Sequence, residues 1–255
     1  GEDGATITQP ARVFELLKPW VGPDDVELER SALYTFHSAI APCWRSGRLL
    51  IAGDSAHLTP PFLGQGMCAG MRDAGNLAWK LARVLRGQND DILLDTYQAE
   101  RAPHVREYIE LAVRLGGLIN TKAMEAAVSG SVLEGGEAAR MRSIKPRLGP
   151  GLAAGWNEPA GQIAPQPHLA DGTRLDDLVG YRFAALLRPE FAARLPAETL
   201  KRLADREIMV VADDSPERRA WLEALQTSAV LVRPDRYVLG AARSLPELNA
   251  LVAAV

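Results

Sequence analysis

From Glu27 to His37 apolar and polar positions alternate, with Leu28, Ala32, Tyr34 and Phe36 on even positions. A period of two predicts a strand with one buried face. Before it, Pro10 to Trp20 reads as a short helix between turn-rich ends. After a turn at Arg45-Ser46-Gly47 comes Arg48-Leu49-Leu50-Ile51-Ala52. That nearly continuous apolar run predicts a strand covered on both faces. From Gly66 to Arg86 the spacing changes: Met67, Met71, Ala74, Leu77, Ala78, Leu81 and Leu85 recur along one side of a helix. Lys80, Arg83 and Arg86 near its end, followed by Gly87, are normal stop signals. A second helical stretch runs from about Asp91 to Leu118, with Pro103 as a kink or restart. Residues 121–145 look helical but weakly patterned.

Gly and Pro crowd the stretch from Leu148 to Gln166, which predicts a boundary. The expected division is a first domain over 1–150, a linker over 151–163 and a second domain over 164–255. Strands are predicted at Arg206–Ala212, Ala229–Val232 and Tyr237–Ala241, the last after the Arg233-Pro234-Asp235-Arg236 turn. Helices fit around Ala197–Leu203, Pro216–Leu225 and Pro246–Ala253. The fold class is α/β, without internal repeats.

Composition changes this picture little. Two domains suit 255 residues, and 47% hydrophobic with 24% charged residues is ordinary for a globular protein. A net charge of -3 gives no reason to expect nucleic acid. No apolar run approaches the roughly 20 residues that span a bilayer. The start, neither basic nor apolar, does not read as a signal peptide, so a cytoplasmic protein is expected. Cys43 and Cys68 form no C-x-x-C pair, which argues against a disulfide framework or a zinc site and predicts two buried or half-buried thiols. The four histidines are too scattered to suggest a metal cage.

The chemistry concentrates between Gly53 and Leu81. Asp54 follows a buried strand directly, which fixes a carboxylate in the crevice above a sheet, where α/β folds bind ligands. A sugar or ribityl hydroxyl is a natural partner for it. Pro60 and Pro61 stiffen the loop, and Gly64-Gln65-Gly66 lets backbone approach a ligand closely. The next helix aims its free N–H groups and partial positive charge at the same place, where an electron-rich ring that becomes anionic on reduction would be stabilised.

This segment resembles the second FAD-binding motif of the FAD-dependent aromatic hydroxylases. The matching residues are Gly53-Asp54-Ser55-Ala56-His57, Pro60-Pro61, Gly64-Gln65-Gly66, Asp73-Ala74, Asn76-Leu77 and Lys80-Leu81. Ser55 stands where alanine is commoner. Tyr34-Thr35-Phe36-His37, Trp44-Arg45, Gly47-Arg48, Met67-Cys68-Ala69-Gly70, Tyr97, Glu100-Arg101, Pro103 and Arg233 to Val238 resemble the 3-(3-hydroxyphenyl)propionate hydroxylase branch. The resemblance covers nearly the whole chain and implies the C-terminal part of an FAD and substrate domain, followed by a thioredoxin-like α/β domain without redox cysteines.

It also implies roles. Asp54 would meet the ribityl chain or pyrophosphate, and Pro61 would lie at the reactive edge of the flavin. Gly64, Gln65, Gly66 and Met67 would contact the ring through backbone, with Gly53 and Asn76 in the same cofactor set. Phe36 and His37 would face the substrate, His37 with a catalytic part beside Pro61. In such enzymes NAD(P)H reduces FAD, O₂ adds as a C4a-hydroperoxide, and a small phenol is hydroxylated ortho to its oxygen; the flavin supplies the hard chemistry.

The family's G-x-G-x-x-G fingerprint is absent, and Asp3-Gly4 and Asp171-Gly172 lie in the wrong contexts for its Asp-Gly motif. A fragment that binds FAD weakly or not at all is therefore expected, its parent being the enzyme. Two rivals differ in kind. Gly53-Asp54-Ser55 and Gly87 to Asp90 echo a GDS-type serine esterase, but the Asp-x-x-His block near the C-terminus is missing. A non-catalytic module could instead pack its last 90 or so residues on the flavin domain or a second subunit, giving a homodimer.

Overall fold

The computed structural model describes residues 3–119, 144–153 and 155–255. The weak helix expected over 121–145 lies outside them, apart from 144 and 145, which are not helical. Contacts divide the chain into two compact units, Gly1–His37 and Ser38–Val255.

In the first unit α1 spans Gly4–Ile7 and α2 spans Pro10–Leu17. Proline at the head of α2 suits a position whose N–H would be unpaired anyway. The strand expected over Glu27–His37 does not form. A strand needs a neighbour for its backbone hydrogen bonds, and none pairs with this segment among the described residues. Leu33, Tyr34 and Phe36 are instead 54–64% exposed, the last two rings stacked at 6.5 Å.

The second unit has two lobes. Among the described residues the first carries only two-residue strands: β1 at Ala39–Ile40, β2 at Arg45–Ser46, β3 at Leu49–Leu50 and β4 at His57–Leu58. β1 pairs with β4 and β2 with β3, both antiparallel. Leu49 is 77% exposed, so the expectation of a strand covered on both faces fails there. Two helices do most of the packing, α3 at Gly66–Leu85 and α4 at Asp95–Ile119, the latter running through Pro103. Their core gathers Trp44, Ala69, Leu77, Tyr97, Val105 and Ile109.

α3 has the expected limits, and Leu77 and Leu81 pack inward as expected, but the ends of the expected apolar side turn outward. Met67, Met71 and Leu85 are 65–78% exposed, while Asp73, Asn76, Lys80 and Arg83 are buried. The polar side turns inward because each of those four side chains finds a partner there. Cys68 is half-buried as expected; Cys43 is exposed.

The C-terminal lobe adds α5 (Leu175–Val179), β5 (Phe183–Leu187), α6 (Pro189–Ala192), α7 (Ala197–Asp205), β6 (Ile208–Val211), α8 (Pro216–Ala224), β7 (Ala229–Val232), β8 (Val238–Ala242) and α9 (Leu245–Ala253). Ser215 and Ser244 cap α8 and α9 by accepting from backbone N–H groups, with proline in the first turn. The four strands lie in the order β6-β5-β7-β8, with β5 and β6 parallel and the other neighbours antiparallel. Every residue of β5 and β7 is buried, as a sheet covered on both faces requires.

The lobes share a core: Trp79 and Leu93 pack with Phe183, Leu187 and Leu231. The segment expected as a linker is tied between them, Leu148 N donating to Gly161 O and Gly161 N to Val238 O. His104 of α4 meets the Tyr237 hydroxyl at 2.9 Å. Burial first, then the charges of Arg101 and Arg72, push His104 down to about 3, so it is neutral. Among the described residues no helix is long and apolar enough to cross a membrane.

Candidate functional site

The loop between β3 and α3 is held from below. Tyr97 donates its hydroxyl to Ile51 O at 3.2 Å, and Ile51 N donates to Trp44 O. The chain then turns through a 3-10 turn at Gly53–Ser55, entered with Gly53 at φ +58°. Glycine is needed at Gly53, where that φ is strained for any side chain, and the facing Gly70 is close enough that a Cβ there would touch the Gly53 Cα at 3.4 Å. Backbone thus lies against backbone, and the turn presses on α3. Asp54 and Ser55, at its outer corner, are exposed.

Asp73, on the inner side of α3, fastens this turn. One carboxylate oxygen accepts from Gly53 N at 3.0 Å and from His57 Nε2 at 2.6 Å, and the other accepts from Arg101 Nε at 2.8 Å. All three side chains are fully buried. Burial alone would raise the Asp73 carboxyl; the His57 hydrogen bond and the Arg101 charge outweigh it and lower it. His57 also packs against Trp44, ring centroids 5.6 Å apart. With Nε2 committed to Asp73 and the side chain fully buried, His57 holds the loop rather than facing solvent, whereas Ser55 is exposed.

The far end of the loop is pinned by Phe62, whose ring lies over Gly116 of α4: a Cβ there would come within 2.3 Å of it. Pro61 begins a second 3-10 turn, Pro61–Leu63, closed by Gly64 at φ +61°. α3 starts at Gly66 behind Gln65, and no side chain caps it. A Cβ on Gly64 or Gly66 would meet nothing within 4 Å; the left-handed φ of Gly64 already calls for glycine, whereas no packing contact does at Gly66. What remains is an open glycine cradle beside unpaired helix N–H groups.

The structure brings Gly53, Asp54, Pro61, Gly64, Gln65, Gly66 and Met67 together on this single loop and helix start, all exposed or half-buried. It does not bring Asn76. Asn76 is fully buried further along α3, its amide hydrogens given to Glu100 and Asp235 and its oxygen accepting from Lys80. Nothing of that side chain is left for a ligand. Phe36 and His37 belong to the first unit, both exposed. Sequence reasoning passed over Asp73 and Arg101 as site residues. The signal was present, since both stand in the quoted motifs as helical charges with no opposite charge three or four positions away.

Residues 2–112 match the family profile described as FAD binding domain, and residues 187–255 match the HcaD C-terminal domain. The chain is 36% identical to a 3-(3-hydroxy-phenyl)propionate/3-hydroxycinnamic acid hydroxylase of Mycolicibacterium smegmatis, covering 94% of this chain and 50% of that protein. It is also 36% identical to a probable NADH-specific resorcinol 4-hydroxylase of Rhodococcus jostii, covering 96% and 49% respectively. In fold it resembles the flavin-dependent monooxygenase PieE, solved with FAD and substrate, at a TM-score of 0.74 and 24% identity over 100% of this chain and 54% of that one. The resemblance to flavin-dependent aromatic hydroxylases read from the sequence is thus borne out. The chain spans about half the length of the curated relatives it matches.

Proposed function

We propose that this chain is the C-terminal part of an FAD- and NAD(P)H-dependent monooxygenase, acting on a small phenol of the 3-(3-hydroxyphenyl)propionate class. The observation that carries this reading is the open glycine cradle at Gly64 and Gly66, set between the exposed Asp54 corner and the uncapped start of α3. Those features fit a flavin: backbone that can touch a flat ring, a carboxylate for ribityl hydroxyls, and helix N–H groups for negative charge on the reduced ring.

Each residue then has a task. Asp54 binds the ribityl chain or pyrophosphate, and Pro61 shapes the edge of the ring where oxygen is transferred. The backbone of Gly64 to Met67 holds the ring, while Asp73, His57 and Arg101 keep the Gly53 turn in place beneath it. Phe36 and His37 keep a substrate role through the sequence resemblance alone. When bound, the flavin, reduced by a nicotinamide, supplies the activation of O₂ that puts a hydroxyl ortho to the phenolic oxygen. The protein supplies orientation and exclusion of water.

In this reading residues 164–255 are a thioredoxin-like domain. The order β6-β5-β7-β8 with one parallel pair supports it, and the absence of cysteine there removes disulfide exchange from its repertoire. The exposed apolar side of α3 supports a further, covering half in the working enzyme.

Titration of the 255-residue chain with FAD tests this. Alone it should show no saturable binding at micromolar FAD; mixed with the N-terminal half of a hydroxylase relative, it should gain flavin absorbance and hydroxylate the phenol. Tight yellow binding by the chain alone would overturn the half-site. Failure to bind flavin even with the complementary half would overturn the flavin reading.

A further inference from the structure

The residues the flavin reading leaves over, Asn76, Lys80, Glu100 and the Arg233-Pro234-Asp235 turn, meet at one point. Glu100 on α4 is fully buried, and its two oxygens take five hydrogen bonds. Arg233, from the turn between β7 and β8, donates to both oxygens at 2.8 and 2.7 Å. Lys80 and Asn76, both on α3, donate at 2.7 and 2.8 Å, and Leu152 N at 3.0 Å. Asp235 completes the ring by accepting from Arg233 and, at 3.0 Å, from Asn76. Two carboxylates and two cations balance. The Arg233 guanidinium also lies 5.2 Å over the ring of Trp79, the residue before Lys80.

Such a network is costly to desolvate and rewards only the geometry in which every member is satisfied. Gly149 and Gly151 show how tightly it is enclosed: a Cβ on the first would lie 2.3 Å from Ala99 O, and on the second 2.3 Å from Glu100 Cγ. Every donor on the α3 side sits within four residues of the next, so the network grips the helix at two successive turns. It thereby fixes both the rotation and the axial position of α3. The same helix presents Gly66 and Met67 at one end and clamps Gly53 through Asp73 between.

We propose that the Arg233–Asp235 turn of the C-terminal lobe is a positioning element of the flavin half-site, acting through Glu100 and Asn76 on the setting of α3. The C-terminal lobe is then a buttress for the flavin-side helix. This rests on the flavin reading only for what α3 holds; the mechanical claim concerns this chain's own residues.

Hydrogen–deuterium exchange on the 255-residue chain separates the two. In Arg233→Met the buried ring is left with one unbalanced negative charge. Peptides covering 53–65 and 66–75 should then exchange at least about tenfold faster, although the Arg233 side chain bonds to Glu100 and Asp235 and to none of their residues. Peptides from β5 and β7 should stay protected and report that the sheet is folded. Adding Glu100→Gln to Arg233→Met restores neutrality and should recover part of the lost protection, which a general loss of packing would not. Should the single variant fail to fold, Asp235→Asn keeps shape and volume and should loosen the same peptides to a smaller degree. Exchange changes confined to residues near 233, or a double variant no better than the single, would overturn the proposal. FAD added to the chain with its complementary half gives the second arm. Looser α3 with unchanged FAD affinity would leave the buttress standing and remove the flavin from it.

Discussion

The two lobes of the second unit solve the same problem at different levels of completeness. In the C-terminal lobe each strand has its ladder, β5 and β7 are wholly buried, and side chains such as Leu231 and Leu239 show no exposure at all. The lobe before it has ladders only two residues long, leaves Leu49 and Met67 more than three-quarters exposed, and puts much of its order into buried ions. An apolar core is non-directional and tolerates small shifts. A lattice of charge-assisted hydrogen bonds holds one geometry or is penalised. The first lobe is built to place a loop and a helix start accurately, the second to stay folded.

The sharpest test of that contrast is a matched pair of truncations. Leu231→Ala should cost about 2–5 kcal/mol, whereas Leu49→Ala, at 77% exposure, should stay within about 0.5 kcal/mol; urea unfolding of both variants checks it. Next comes Glu100→Ala, which strands Arg233 and Lys80 inside the protein and should cost about 3–5 kcal/mol. Asp54→Ala, at the exposed corner, should leave the unfolding midpoint in place while removing flavin binding from the assembled protein.

Acid should distinguish the regions in turn. His104 holds a folded value of about 3 against an ordinary 6.5, so between those limits the unfolded chain takes up a proton the fold refuses, and stability falls as pH drops below 6.5. Glu100 is driven the other way: burial opposes ionisation, but Arg233 and Lys80 pull it down to about 2 from an ordinary 4.5. Its contribution is full above 4.5 and is lost as pH falls toward 2. A melting curve taken from pH 7 downward should therefore decline in two stages. His104→Asn should flatten the upper one and leave the lower.

Among the substitutions of buried groups, the loop clamp should cost least. Asp73→Asn keeps the shape but loses the charge that answers Arg101 and His57, and should cost about 1–3 kcal/mol. Its signature is local: the Gly53 amide, now donating to a carboxylate at 3.0 Å, should exchange faster. Unchanged exchange at Gly53 would remove Asp73 from the site.

How far the sequence reached follows the same division. The ends of α3 were legible because a glycine-rich start and Gly87 punctuate it locally, and β7 was legible as a short β-branched run. The inward turn of charged α3 residues was not. Asp73 and Lys80 turn inward because Arg101, Glu100 and Arg233, up to 153 positions away along the chain, are brought beside them. β5 was missed because Phe183-Ala-Ala-Leu-Leu neither alternates nor contains a β-branched residue; only the strands on both sides make it one. The loop residues from Gly53 to Met67 were found together since they are contiguous. Asn76 was misgrouped with them because it shares their motif but not their surroundings.

Trp79 carries one more consequence. Its indole is 4% exposed, with the Arg233 cation 5.2 Å from its centroid and the Phe183 ring nearly perpendicular to it, centroids 5.2 Å apart. A charge fixed against an indole shifts the energy of its excited state, and water reaching that indole shifts it again toward the red. The junction between the lobes thus holds its own optical gauge, which would brighten, dim or change colour with their separation before either lobe loses its secondary structure.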